Sequence, residues 1–308
     1  MKIFWSDIYN DDDEWSSLDI HVSGAEKPTI QLKSGTGLKF KLKNTLETVF
    51  WGRIDHGWYG AWYLRNQRDW SKREATIPSI QAKDIESITF ENTIEKFKLW
   101  SRFFTSSLQN SANTMLFDGN WRLSIANPKT QASNHDLTWR IQKPENAFNL
   151  SNPFWIDWNS GGNTGDLLPL KNEPQIDSGR VKWFRKLIRE DKCPPILAWY
   201  LNSLDAYVII DGHCRLKAFI AEKVTPEILV LSTVQKTGVL LDETKQKHIY
   251  EAMENRNPVM PMDKVNKLLI DAFDDRPFIS AITKSKAIHG LAKEWDAAIE
   301  QFKGKAEI

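Results

Sequence analysis

The amino-acid sequence predicts an α+β protein, in which a β-rich, tryptophan-rich N-terminal domain precedes a mixed α/β domain that ends in helices. Two observations carry this prediction. Eleven of the fourteen tryptophans in the 308-residue chain lie at or before Trp158, so the two parts differ in composition. Apolar and polar residues alternate in the first part, whereas the second part combines short apolar runs with helical periodicity. We therefore expect domains at residues 1–150 and 166–308, joined by a linker at 151–165.

The first domain is predicted to contain an antiparallel sheet. Leu38, Phe40 and Leu42 alternate with lysines, which predicts a half-buried strand whose lysine face is solvated. The turn at residues 34–37 joins this strand to residues 29–33 as a hairpin. Further strands are predicted at residues 48–54, 58–64, 85–90, 121–125 and 137–141, and residues 93–104 fit either a helix or a strand.

An aromatic cluster lies in the same region. It comprises Trp51, Trp58, Tyr59, Trp62, Tyr63 and Trp70, with Arg53, His56, Arg65 and Arg68 nearby. A β-core rich in aromatic residues would explain it. The alternative is a stacking surface for a sugar, a base or a protein partner.

Residues 157–165 are rich in Gly, Asn and Ser, which favours a linker. The alternative is an ordered loop over a ligand, because glycine-rich loops can wrap phosphates. No Gly-Lys-Ser/Thr follows, so the segment is not a Walker loop.

The second domain is predicted to begin with an amphipathic helix at residues 178–190. Residues 207–210 form an apolar strand candidate, and a helical pattern follows them. Residues 263–273 and 284–302 are predicted helices. The apolar stripe of the last helix would pack on one of the domains or form a dimer seam.

The junction between residues 207–210 and the following helix is the main candidate site. The apolar run stops at Asp211-Gly212, and helical periodicity begins at once. A glycine allows close approach to the backbone, and the free N–H groups of a helix start favour an anion. His213 and Arg215 can add charge-assisted hydrogen bonds to a phosphate. The junction therefore predicts a phosphate-binding corner formed by Asp211, Gly212, His213, Cys214 and Arg215.

The segment Asp211-Gly212-His213-Cys214-Arg215-Leu216-Lys217-Ala218 resembles the Gly-x-x-Arg box of the ParB/sulfiredoxin superfamily. The order helix, proline, strand, turn, strand, box, helix, strand is also similar, and the resemblance covers residues 165–275. It implies a strand entered through a proline turn at residues 194–199 and another strand at residues 228–231. It implies a ParB/sulfiredoxin-like α/β domain that binds a nucleoside triphosphate, CTP or ATP. Arg215→Ala is then expected to abolish nucleotide binding while the fold survives.

A second segment, beginning at Glu254-Asn255, resembles the ParB box that lies beside the nucleotide and its magnesium. A carboxylate and an amide oxygen are hard ligands that suit Mg²⁺. The resemblance thus implies Glu254 and Asn255 as metal ligands. This chain is shorter than the ParB pattern before the next helix proline, and it lacks the usual Gln-Arg after Glu-Asn.

Departures from the family narrow the expected activity. Sulfiredoxins place cysteine directly after the glycine, whereas here His213 precedes Cys214. The residues after the second box are too few for the helix-turn-helix domain of ParB. We therefore expect a nucleotide-binding protein, either a Mg-dependent NTPase or a small-molecule kinase, with His213 and Glu254 in catalytic roles. The alternative is a non-enzymatic immunity or regulatory factor that binds a protein through the tryptophan-rich domain.

Composition and net charge limit the remaining classes of function. The net charge is +1, and no basic stripe appears, so a nuclease or DNA-binding function is less expected. No apolar run reaches the ~20 residues of a membrane helix. The two cysteines and the absence of a leader suggest a cytoplasmic protein with free thiols, without membrane contact. A homodimer is the alternative to a monomer.

Overall fold

The structure is a computed structural model. It describes residues 1–10, 12–45, 47–66, 75–126, 137, 139–158, 165–238, 242–254, 261, 264–266, 269, 273 and 278–306, of which 245, 252–254 and 302–306 are described as backbone alone. The strands within these ranges are β1 (Lys2–Tyr9), β2 (Trp15–Ser23), β3 (Ile30–Ser34), β4 (Lys39–Asn44), β5 (Glu47–Asp55), β6 (Gly60–Arg65), β7 (Gly119–Ile125), β8 (Phe154–Asp157), β9 (Leu167–Pro169), β10 (Ile196–Leu201), β11 (Ala206–Asp211), β12 (Ile228–Thr237), β13 (Phe278–Ile282) and β14 (Lys286–Ala287).

The helices in the same ranges include α1 (Ala82–Ser87), α2 (Thr93–Asn110), α3 (Gly179–Arg189), α4 (His213–Glu222), α5 (Glu243–Glu254) and α6 (Leu291–Ala306). The described residues of the helix predicted at 263–273, which are 264–266, 269 and 273, are helical as well. A 3-10 helix spans Pro144–Asn149. The fold is therefore mixed α/β.

The strands form two sheets. The larger sheet has the order β1-β2-β7-β12-β10-β11-β9, and β13 also pairs with β12. The smaller sheet has the order β14-β3-β4-β5-β6-β8. Apolar side chains from the facing surfaces of both sheets, including Leu42, Phe50 and Leu229, belong to one buried cluster.

The larger sheet crosses the boundary predicted at residues 151–165. β12 pairs antiparallel with β7 of the N-terminal part and parallel with β10 of the C-terminal part. The smaller sheet likewise combines β3–β6 with β14 near the C-terminus. The alternation that marks a strand does not specify its partner, so this arrangement could not be derived from composition.

The N-terminal part of the chain agrees with some of its predicted elements and differs from others. The hairpin of β3 and β4 is confirmed, with Leu32 opposite Leu42. The strand predicted at 85–90 is wrong, because Ala82–Ser87 is helical and its first turn is capped by a box between Gln81 and Asp84. The ambiguous segment at 93–104 belongs to α2, where the Asn92 side chain accepts a hydrogen bond from the Glu95 N–H at 2.9 Å. No strand forms at the described residues 137 and 139–141.

The lysine face of β4 is not solvated, contrary to the prediction. Helix α6 covers it: Lys39 Nζ lies 2.6 Å from Asp296 Oδ1, and Lys41 forms an ion pair with Glu294. Trp295 is buried between them, with Lys39 Nζ 5.1 Å from its ring centroid. The apolar stripe of α6 thus packs on the smaller sheet of the same chain. The helix starts at Leu291 rather than residue 284, because Lys286–Ala287 pair with β3.

The elements predicted around the phosphate corner are confirmed. Helix α3 begins after Ser178, whose hydroxyl accepts from the Val181 N–H at 3.4 Å, and it buries Val181, Phe184 and Leu187. Strands β10, β11 and β12 and helix α4 follow in the predicted order. Helices α3 and α4 pack on one face of the larger sheet, in a second buried cluster that includes Leu216 and Phe219. This packing sets the start of α4 beside α3.

Candidate functional site

The start of α4 is built as the sequence predicts. Strand β11 ends at Asp211, Gly212 is the N-cap residue with φ of 112°, and α4 begins at His213. A positive φ favours glycine, and Gly212 has no side chain to cap the N–H groups of the first turn. The partial positive charge of the helix start is therefore available to an anion. We call residues Asp211 to Arg215 the α4 corner.

Arg215 faces the protein interior. Its side chain is 2% exposed, and Nη2 lies 2.6 Å from Asp211 Oδ2. The guanidinium also lies 5.5 Å from the ring centroid of Phe184 and 6.0 Å from that of Phe104. A Cβ at Gly212 would lie 3.0 Å from Nη2, so the space beside the glycine holds the guanidinium. Arg215 Nε is buried and has no hydrogen-bond partner among the described residues.

His213 is buried and accepts two backbone hydrogen bonds. The N–H groups of Leu170 and Lys171 donate to its Nε2 at 3.1 and 3.2 Å. Burial, followed by the charges of Lys171, Arg65 and Arg215, lowers the pKa of His213 to about 3. The imidazole is thus neutral at pH 7, with its proton on Nδ1. The atom that a general base would use is engaged in holding the residues after β9.

The two cysteines are free thiols. Burial raises the pKa of Cys214, against the opposing effect of Arg180, Lys171 and Arg215. Burial also raises the pKa of Cys193 to about 12. Neither is a thiolate at neutral pH, so the corner does not present the activated cysteine that thiol chemistry requires.

Three further cations surround the corner, and none of them was singled out for this site by the sequence. They are Lys171 after β9, Arg65 at the end of β6 and Arg180 in the first turn of α3. Arg65 Nη1 donates to the Lys171 carbonyl at 2.9 Å, and Arg180 Nη2 donates to the Ile80 carbonyl at 2.5 Å. None of the three forms an ion pair with a carboxylate within the described ranges.

The surroundings of Arg180 disfavour its charge. Burial lowers the pKa of Arg180, and the nearby charge of Arg215 lowers it further, against the opposing effect of Cys214 and Asp211. Asp211 is already paired with Arg215. An anion at the start of α4 would therefore meet uncompensated positive charge from three separate elements.

A cleft opens from the corner between the two sheets. Its empty volume is about 610 Å³, including its opening to solvent. The polar groups on its wall come from Asn44, Thr76, Asn113, Lys171, Asp211 and His213. The rest of the wall is mainly apolar, including Ile30, Leu42 and Ile210. A cleft that combines apolar walls with converging polar groups is a common form of small-molecule site.

The predicted metal ligands lie at and beyond the end of α5. Glu254 is the last residue of α5, where the backbone alone is described, and Asn255 lies outside the described residues. Within the described ranges, no group of three or more His, Cys, Asp or Glu side chains could hold a metal ion.

The aromatic cluster divides into a buried and an exposed part. Tyr63 is buried in the core, whereas Trp58 is 75% exposed and Tyr59 is 63% exposed. Both lie in the turn between β5 and β6, where Asp55 Oδ1 accepts from the Gly57 N–H at 3.1 Å. Trp70 lies outside the described residues.

The chain matches no protein-family model, no curated protein and no solved structure. In the part of the chain that the structure describes, no helix is long and apolar enough to cross a membrane.

Proposed function

We propose that the α4 corner and its cleft bind a nucleoside triphosphate, CTP or ATP. The observation that carries this proposal is the gathering of Lys171, Arg65 and Arg180 around an uncapped helix start, without an ion-paired carboxylate among the described residues. The resemblance of Gly212-His213-Cys214-Arg215 to the Gly-x-x-Arg box supports the same ligand class.

The proposed binding mode follows from the chemistry of the corner. The N–H groups at the start of α4 receive a phosphate, and Lys171 and Arg180 neutralise its charge. The nucleoside would lie at the opening of the cleft beside Asp211, where Leu170, Lys171 and Ile210 line the wall. Arg215 stabilises the shape of the α4 corner, because it forms an ion pair with Asp211 and packs against Phe184.

Hydrolysis or phosphoryl transfer would extend this proposal. Glu254 and Asn255 would hold the Mg²⁺ that the resemblance implies, and the metal would neutralise charge on the phosphates. His213 would orient the residues after β9 rather than accept a proton, because both donors to Nε2 are backbone N–H groups.

Lys171→Gln should weaken nucleotide binding about ten- to a hundredfold, because one charge-assisted hydrogen bond contributes about 1.5–3 kcal/mol. Lys171 is exposed, so the fold should be unaffected. The measurement is a calorimetric titration with CTP, ATP, ADP and GTP, each with Mg²⁺. Lys182→Gln is the matched control, since this exposed α3 lysine has only a weak pairing with Asp177 at 3.6 Å. The absence of binding to wild type would reject the proposal.

A second candidate function is protein binding through the turn between β5 and β6. Exposed aromatic side chains are frequent anchors of protein interfaces, and Trp58 and Tyr59 project from a turn that Asp55 holds in place. Trp58→Ser/Tyr59→Ser should leave the melting temperature within about 2 °C, because surface changes alter stability little. Quantitative affinity purification should lose a partner that wild type retains. Identical partner sets would exclude this surface.

A further inference from the structure

A second cleft lies near the edge of the smaller sheet, beside β3, β14 and Trp199 of β10, and Ile30 lines both this cleft and the one at the α4 corner. Its empty volume is about 690 Å³, including its opening to solvent. The apolar part of its wall is formed by Ile30, Leu32, Met115, Phe117 and Trp199. Lys27, Lys284 and Lys286 line it as well, so we call it the lysine cleft.

The lysines of this cleft lack acidic partners. Lys284 Nζ lies 4.7 Å from the ring centroid of Phe117, on the wall of the cleft. Lys286 is directly opposite Lys33 in the pairing of β14 with β3, which places like charges on neighbouring strands. Such cross-strand pairs are destabilising. Within the described ranges, none of Lys27, Lys33, Lys284 and Lys286 forms an ion pair with a carboxylate.

The lysines of β4 show that this arrangement is not a general property of the sheet. Lys39 and Lys41 are paired with Asp296 and Glu294 of α6. The pKa of Lys33 is lowered by burial and then by Lys286, Lys27 and Lys43, so positive charge accumulates at this edge. An apolar cavity bordered by uncompensated lysines is complementary to a molecule with an apolar chain and an anionic end.

We propose that the lysine cleft binds a fatty-acid anion, with its alkyl chain against Leu32, Met115 and Trp199 and its carboxylate among Lys27, Lys284 and Lys286. None of Lys27, Lys284 and Lys286 belongs to the α4 corner or lines its cleft. The two sites can therefore be tested separately through these lysines.

The test is a calorimetric titration with sodium octanoate, compared with 1-octanol and acetate. Octanoate should bind at least tenfold more tightly than octanol, because only its head group is charged. Acetate should bind at least tenfold more weakly than octanoate, because it lacks the chain whose burial drives association. Raising the salt concentration should weaken octanoate binding and leave octanol binding unchanged.

Lys284→Gln/Lys286→Gln should reduce octanoate affinity at least tenfold and leave octanol affinity unchanged. Both side chains are exposed, so the variant should fold. Lys186→Gln/Lys247→Gln removes the same charge from exposed helical positions and should bind octanoate like wild type. Three results would overturn the proposal. They are equal affinity of the wild type for octanol and octanoate, equal effects of the two double variants on octanoate affinity, and no octanoate binding at millimolar concentration. The Lys284→Gln/Lys286→Gln variant should bind CTP and ATP as wild type does. A loss of octanoate binding can then be distinguished from a failure of the nucleotide site at the α4 corner.

Discussion

Between pH 6.5 and about 3, the free energy of unfolding should fall by about 1.4 kcal/mol for each pH unit because of His213 alone. Burial and the neighbouring cations lower the pKa of its imidazole to about 3 in the folded protein, against about 6.5 in the unfolded chain. Between these two pKa values, the unfolded state therefore binds a proton at this histidine that the folded state does not bind. The stabilising contribution is complete above pH 6.5 and disappears as the pH falls through the folded-state pKa, a total of about 3–5 kcal/mol.

His213→Gln provides the control for this pH dependence. A glutamine oxygen can accept the hydrogen bonds from the Leu170 and Lys171 N–H groups, and it does not titrate. Urea unfolding at pH 4, 5, 6 and 7 should show a steeper loss for wild type than for the variant. Burial raises the pKa of Asp166 to about 6, so the stability that its protonated carboxyl contributes at low pH is lost as the pH rises. The difference between wild type and variant removes that opposite effect, and parallel curves would contradict the prediction.

Arg215→Ala should lower the free energy of unfolding by about 3–5 kcal/mol, because it removes one partner of a largely buried ion pair. Asp211 would lose the guanidinium that lies 2.6 Å away, and the space between Phe104 and Phe184 would become a cavity. The sequence suggested that this variant would keep its fold and lose only nucleotide binding. The 2% exposure of Arg215 changes that expectation.

A second variant separates the charge effect from the cavity effect. Arg215→Met/Asp211→Asn removes both charges and keeps an unbranched side chain in the space, so it should be less destabilised than Arg215→Ala. Thermal or urea unfolding measures both. A loss below 1 kcal/mol for Arg215→Ala would mean that the ion pair and its packing contribute little to the fold.

The local elements around the α4 corner could be predicted because their signals lie within a few residues of each other. Ser178 precedes a 3.6-residue apolar period in α3, and Gly212 separates the apolar run of β11 from the periodic pattern of α4. Residues 85–90 show the limit of this approach. Their short apolar pattern fitted a strand, but the cap formed by Gln81 and Asp84 favours the helix.

The sequence by itself determined the succession of strands and helices from α3 to β12 and the glycine junction, because caps, prolines and periodicity act locally. The tertiary structure decided which strands share a sheet, that α6 covers Lys39 and Lys41, and that Arg65 and Lys171 join Arg180 at the corner. It also decided that Arg215 turns inward to Asp211. Strand pairing, burial and the field of distant charges depend on residues far apart in the chain, and a local pattern carries no information about them.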